Sequence, residues 1–158
     1  SSANGLIIYE NINSWPYYYL AENIEYVKDF NDAKFTKKKS VYLNHSDNLI
    51  NLRHNNSARI TMTEFNYGSL IFDFESNNNE LLVIADSWHP FWKVRTNNKD
   101  IEIFKANFIF KGIKLPKGKY SFELYYDTSN YKIGIYISLI SFLFLIFYLS
   151  IFIYKKNK

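Results

Sequence analysis

Apolar and polar residues alternate along most of this chain in short blocks, and turn-forming residues separate the blocks. Glu80 to Ala85 (ELLVIA) is instead a continuous apolar run closed by Asp86 and Ser87, the pattern of a strand buried on both faces. Pro90 cannot donate to a ladder and pushes His89 toward extended geometry, so Trp88-His89-Pro90-Phe91 forms a corner. Trp92 and Val94 then share one face and Lys93 and Arg95 the other, and Asn97-Asn98 suits a tight hairpin turn. Ile101, Ile103, Phe108 and Phe110 continue the period of two. Leu115-Pro116-Lys117-Gly118 has Pro second and Gly fourth, a type I turn. Tyr120, Phe122, Leu124 and Tyr126 alternate with Ser121, Glu123 and Tyr125. Upstream, Ile60 and Met62 oppose Arg59, Thr61 and Thr63. Asn66-Tyr67-Gly68 turns the chain, and Leu70, Phe72 and Phe74 point inward against Asp73 and Glu75.

The earlier part is less regular. Leu6 to Tyr9, Tyr17 to Leu20, Asn23 to Val27 and Val41 to Leu43 read as short strands. Lys28 to Phe35 supplies one or two helical turns with Asp29 or Asn31 near the start. Strands recurring at short intervals with turn signals between them predict an antiparallel β-sandwich or jelly-roll-like domain.

After Lys132 the pattern changes. Ile133 to Ile153 carries no charge for 21 residues. As a helix it is about 31 Å long, close to the ~30 Å hydrocarbon core of a bilayer. It is apolar on every side, unlike the one-sided core helix of a soluble protein. Tyr131, Tyr136, Tyr148 and Tyr154 lie near its ends, as interfacial aromatics do, and Lys155, Lys156 and Lys158 follow. Ser138, Ser141 and Ser150 are small polar positions that bond their own backbone or face another helix. The expected organisation is therefore mainly β. Residues 1–130 form the β-sandwich domain, 131–154 a transmembrane helix anchored from Ile133 to Ile153, and 155–158 a basic tail. The basic tail places the C-terminus in the cytoplasm and the β-domain outside it, with the bilayer and other transmembrane helices as partners.

Composition narrows the function. With 47% hydrophobic and 20% aromatic residues there is ample material for a core. Cysteine is absent, which excludes disulfides, thiolate nucleophiles and cysteine zinc sites. The formal charge of +4 comes largely from the tail, and the rest is nearly neutral, so a nucleic-acid partner is not expected. The basic loop around Lys37-Lys38-Lys39 is a solvated loop or a contact for anionic headgroups. The chain starts at Ser1 without a signal-peptide pattern, so a processed product or a piece of a larger protein is expected.

Candidate chemistry concentrates in the aromatic corner. Asp86 and His89 lie close together there, and Trp88, Phe91 and Trp92 offer apolar faces to a sugar ring. The structural alternative is that Asp86 caps the turn and the aromatics close one end of the core. His45 and His54 have no carboxylate or second histidine at metal-ligand spacing, so no metal site is assigned. Phosphate loops and nucleophile elbows are absent, and no cofactor is expected. Glu102, Glu123 and Asp73 sit at outward strand positions.

The ordered set Asp-Ser-Trp-His-Pro-Phe-Trp-Lys-Val, Asn-Asn, Ile-Glu-Ile-Phe-Lys-Ala-Asn-Phe-Ile-Phe-Lys-Gly-Ile, Leu-Pro-Lys-Gly-Lys-Tyr, Glu-Leu-Tyr-Tyr and the apolar helix resembles the C-terminal part of the YfhO family of bacterial polytopic membrane proteins. The resemblance runs from about Leu6 to the end and is most specific between Ile84 and Tyr126. Where the family carries an Arg after a Pro, this chain has Trp15-Pro16-Tyr17. The resemblance implies a β-rich domain outside the cytoplasm ahead of a last membrane helix. It also implies a glycosyltransferase-like protein using lipid-linked sugars on cell-envelope glycans, with its catalytic groups in the membrane part. By that reading this chain has no catalytic residues of its own, and Asp86, Trp88, His89 and Trp92 are candidates for glycan contact. The alternative is a single-helix accessory subunit of a larger membrane complex.

Overall fold

The computed structural model describes residues 2–3, 6–7, 9, 11, 14–34, 39–44, 56–97 and 101–156. His45, His54, Lys37, Lys38, Asn98 and Lys158 lie outside the described residues. The chain forms two compact units, Ser1–Tyr125 and Tyr126–Lys158.

The first unit is built on two four-stranded sheets. One has the order β10 (Ile103–Ala106), β11 (Phe110–Leu115), β8 (Glu80–Ser87), β3 (Tyr18–Leu20). The other has the order β6 (Arg59–Asn66), β7 (Ser69–Ser76), β12 (Gly118–Tyr126), β9 (Trp92–Thr96). They stack face to face. Leu20, Leu82, Ile84, Ile113 and Leu115 of the first meet Leu70, Phe72, Phe74, Phe122 and Leu124 of the second in one buried cluster. Phe72 and Phe122 are cross-strand partners with stacked rings 5.3 Å apart. Such a pair contributes about 1 kcal/mol beyond its area.

The apolar run of β8 has the physical cause expected of it, because its sheet is covered on both faces. Leu82 and Ile84 enter the sandwich, whereas Leu81 and Val83 join a second cluster with Tyr19, Ala21, Val41, Leu43, Phe104 and Ala106. That outer layer includes β4 (Asn23–Tyr26) and β5 (Ser40–Leu43), which pair in parallel. The parallel pair is a departure from the all-antiparallel expectation. A further two-residue pair, β1 (Ser2–Ala3) with β2 (Leu6–Ile7), lies near the N-terminus. The helical segment is a single 3-10 turn, Phe30–Asp32, started by Asp29 Oδ1 accepting from the Asn31 amide at 2.9 Å.

Two turns differ from expectation. Strands β9 and β10 belong to different sheets and so do not pair with each other, and Asn98 of the expected hairpin turn lies outside the described residues. Trp92, Val94, Ile101 and Ile103 all pack on the same interior cluster, so separate sheets and a hairpin leave the same alternation. The hairpin forms instead at Asn107 and Phe108, with φ of 47° and 69°, joining β10 to β11. The Tyr67-Gly68 turn forms as expected, with Gly68 at φ 77°. On β6 the register slips between Met62 and Glu64, a bulge in an edge strand.

The second unit is one helix, α1 (Ser129–Lys156), long and apolar enough to cross a membrane and with none of its residues buried. Ser141 and Ser150 donate to the carbonyls of Ile137 and Ile146 at 2.9 and 2.8 Å, satisfying their hydroxyls within the helix.

Candidate functional site

The aromatic corner lies where β8 ends and β9 begins. Pairing of β11 with β8 slips here: Phe110 faces Ser87 while Lys111 faces Ile84, so Ala85 and Asp86 are additional residues on β8. A bulge of this kind re-aims side chains. Asp86 Oδ2 accepts from Lys111 Nζ at 2.5 Å, and its Oδ1 accepts from the Ser87 amide at 2.7 Å. The Lys111 side chain is 0% exposed and that of Asp86 is 42% exposed. The same ammonium lies 3.7 Å from the centre of the Trp92 ring.

Lys111 is therefore the hub of this corner. Burying an ammonium costs several kcal/mol. Here the cost is offset by one carboxylate and by the negative face of an indole, a contact worth about 2 kcal/mol when desolvated. The Lys111 pKa is lowered from its ordinary value by burial, and the hydrogen bond and charge of Asp86 oppose that shift. Asp86 also acts on Tyr17. Burial, and secondly the Asp86 charge, push the Tyr17 hydroxyl up. Tyr17 is held in place by its carbonyl, which accepts from the Ala85 amide at 2.7 Å.

The remaining candidates surround this pair. The Trp88 amide donates to the Ile109 carbonyl at 2.7 Å, and Lys105 Nζ lies 5.0 Å from its ring centre. His89 is exposed. Its Nδ1 accepts from the Phe91 amide at 3.3 Å, its carbonyl accepts from the Trp92 amide at 3.1 Å, and its ring meets Phe91 edge to face at 4.8 Å. Asp86 and Trp92 thus meet at Lys111, while Trp88 and His89 are engaged with other neighbours. Sequence reasoning missed Lys111, Lys105 and Tyr17. The available signal was a lone lysine inside the run Phe-Ile-Phe-Lys-Gly-Ile, which needs a partner in a strand covered on both faces. Of the outward carboxylates, Glu123 bonds Ser69 and Arg95 at 2.8 and 2.7 Å, and Asp73 accepts from Ser121 at 2.6 Å. Among the described residues no group of three or more His, Asp and Glu side chains is placed to hold a metal ion.

Fold and corner together define a β-sandwich domain followed by one membrane-length helix. In comparison with known proteins, the chain is 28% identical over 95 residues to the uncharacterized protein YfhO of Bacillus subtilis (strain 168), which supports the YfhO-family relationship expected from the corner residues. The match covers 60% of this chain and 11% of that protein, so the chain corresponds to a small part of its relative. No family model and no solved structure matches the chain.

Proposed function

We propose that this chain is a non-catalytic, membrane-anchored β-domain of a YfhO-like polytopic protein. The domain lies outside the cytoplasm and faces cell-envelope glycans, while the sugar transfer expected of a glycosyltransferase-like protein takes place in membrane segments elsewhere. The observation that carries the reading is the passage from β12, ending at Tyr126, into an unburied apolar helix with Lys155 and Lys156 in its last turn. Basic residues at one end of a membrane helix favour the cytoplasmic side. The non-catalytic part draws support from the corner itself, where the buried Lys111 ammonium is committed to Asp86 and Trp92.

The absence of cysteine makes the orientation directly testable. Tyr67→Cys places a thiol at a fully exposed turn tip, and Lys156→Cys places one at the end of α1. In intact cells, a membrane-impermeant maleimide labels the Tyr67→Cys protein and leaves the Lys156→Cys protein unlabelled until the cells are permeabilised. The reverse pattern puts the β-domain in the cytoplasm and overturns the proposal.

A further inference from the structure

One end of the sandwich gathers exposed apolar side chains. Of the six exposed large hydrophobic side chains among the described residues of the first unit, four lie there. Tyr67 is fully exposed in the β6–β7 turn, Phe65, 65% exposed, leads into that turn, and Ile109, 60% exposed, lies in the β10–β11 turn. Tyr17 joins the two sheets at this end. Its carbonyl accepts from the Ala85 amide at 2.7 Å, and its ring meets Phe65 edge to face at 6.0 Å. We propose that this end is an interfacial foot, with Tyr17, Phe65 and Tyr67 seated among the lipid headgroups of the bilayer that α1 crosses. The inference rests on the membrane-anchored reading above and goes beyond it by giving the β-domain a lipid contact of its own.

Chain length selects this end. Tyr125 of β12 pairs with Ser69 of β7, so β12 stops beside the β6–β7 turn, about one strand spacing (~5 Å) away. Only Asp127 and Thr128 lie between the end of β12 at Tyr126 and the start of α1 at Ser129. Asp127 Oδ1 caps the helix by accepting from the Ser129 amide at 2.9 Å. A link this short spans about 10 Å, whatever angle the two units adopt. Where α1 crosses a bilayer, the turn is thus tethered near the bilayer surface. The side chains suit that depth. Tyrosine rings gather at membrane–water boundaries, where the ring leaves water and the hydroxyl stays wet. Exposed hydrophobic residues scattered singly are ordinary, but clustered ones mark a contact surface. The opposite end has the contrary chemistry: the exposed side chains of its two turns are Asn77, Asn78, Asn79 and Lys117, and the Lys117 amide donates to Asn79 Oδ1 at 2.9 Å. Glu64, whose carboxylate accepts from Asn66 Nδ2 at 3.2 Å, limits the foot to headgroup depth, because a carboxylate resists entry into hydrocarbon. A few interfacial side chains settle how the domain rests, while α1 supplies the attachment.

The test puts a bimane fluorophore on single cysteines in the full chain, held in nanodiscs of phosphatidylglycerol and phosphatidylethanolamine. Asn66→Cys reports on the foot and Asn77→Cys on the opposite turn. A nitroxide carried on the lipid headgroup quenches the label at position 66 about twofold and leaves the label at position 77 unchanged. Phe65→Ser combined with Tyr67→Ser removes most of the quenching at position 66, whereas Tyr67→Trp keeps it. Equal quenching at the two positions, none at position 66, or quenching that survives the double serine change each overturn the foot. A label at position 66 that lipid nitroxide does not reach, yet that native membranes shield from aqueous iodide, assigns this end to a protein partner and overturns it too. Probe lipid occupies both leaflets of the nanodisc, so the result does not depend on which side of the cell membrane the β-domain occupies. Maleimide labelling decides that side separately, and it reaches position 67 because the headgroup layer is hydrated. A chain that fails to enter nanodiscs overturns the anchored reading itself.

Discussion

Lys111 is a single residue whose surroundings dictate opposite outcomes for two neighbouring changes. Its ammonium is buried between Asp86 and Trp92. Replacing a buried ion by an apolar side chain of similar shape is commonly neutral or favourable, whereas removing only its partner strands a charge. Lys111→Met is therefore expected to leave stability unchanged or raised at pH 7. Asp86→Asn should lower it by about 2 kcal/mol, less than for a fully buried pair because Asp86 is partly in water. Urea unfolding followed by tryptophan fluorescence measures both. The pH dependence has a definite sign. The folded chain holds the Lys111 proton less tightly than the unfolded chain, so charged Lys111 opposes folding and ceases to do so as pH rises toward the ordinary lysine value of 10.5. Any advantage of Lys111→Met over the parent chain should shrink over that rise. A strand covered on both faces shows no alternation, so Lys111 gives no outward sign of its burial in the sequence. Asp86 and Trp92 were legible because turn and aromatic chemistry marks them; their meeting at Lys111 depends on a slip in register that no local pattern encodes.

The β10–β11 hairpin shows how much one element depends on a few positions. Asn107 is buried in its turn; its Oδ1 accepts from the Tyr42 amide at 2.7 Å, and its Nδ2 donates to the Tyr19 hydroxyl at 3.0 Å. Tyr19 in turn donates to the Ser40 carbonyl at 3.2 Å, and burial pushes its pKa up to about 12, against the hydrogen bond from Asn107. The turn thus ties the outer β4–β5 layer to the middle sheet. Asn107→Ala removes two buried bonds and should cost about 3 kcal/mol in a thermal or urea melt. Gly112 faces Phe104 across the hairpin, and a Cβ there would run into the Phe104 ring. Gly112→Ala should cost about 1–3 kcal/mol, and Phe104→Leu in the same chain should recover part of it, a coupling that a double-mutant cycle reads. The long alternating strands β6, β7 and β12 were plain in the sequence, because one face of each meets the core and the other meets water. The hairpin was not, since Phe108 in the left-handed region costs about 1–2 kcal/mol locally and tertiary contacts impose it. The parallel β4–β5 pair was hidden for a related reason: short strands declare their existence but not their partner.

For the whole molecule, both buried clusters are drawn from residues before Tyr125, and α1 contributes nothing to them. A chain ended at Asp127 should keep the near-ultraviolet circular dichroism of the packed aromatics and move from the membrane pellet to the supernatant on fractionation. In the full chain, a charge at the middle of the apolar run opposes insertion by about 2.5–3.5 kcal/mol. Leu143→Arg should therefore make the protein extractable by alkaline carbonate, while Ile133→Arg, at the edge of the run, should have a much smaller effect. The helix was legible in full because an uninterrupted apolar stretch of bilayer length has few other physical explanations.

The slipped rung on β6 bears on life in a crowded membrane. Copies of this protein confined to one plane meet far more often than in free solution, and a straight, open sheet margin would invite them to zip together. At Met62 and Glu64 the ladder falls out of step, and the Tyr18 hydroxyl occupies the amide a newcomer would need. A neighbour meeting this margin therefore finds a poor template for one more strand.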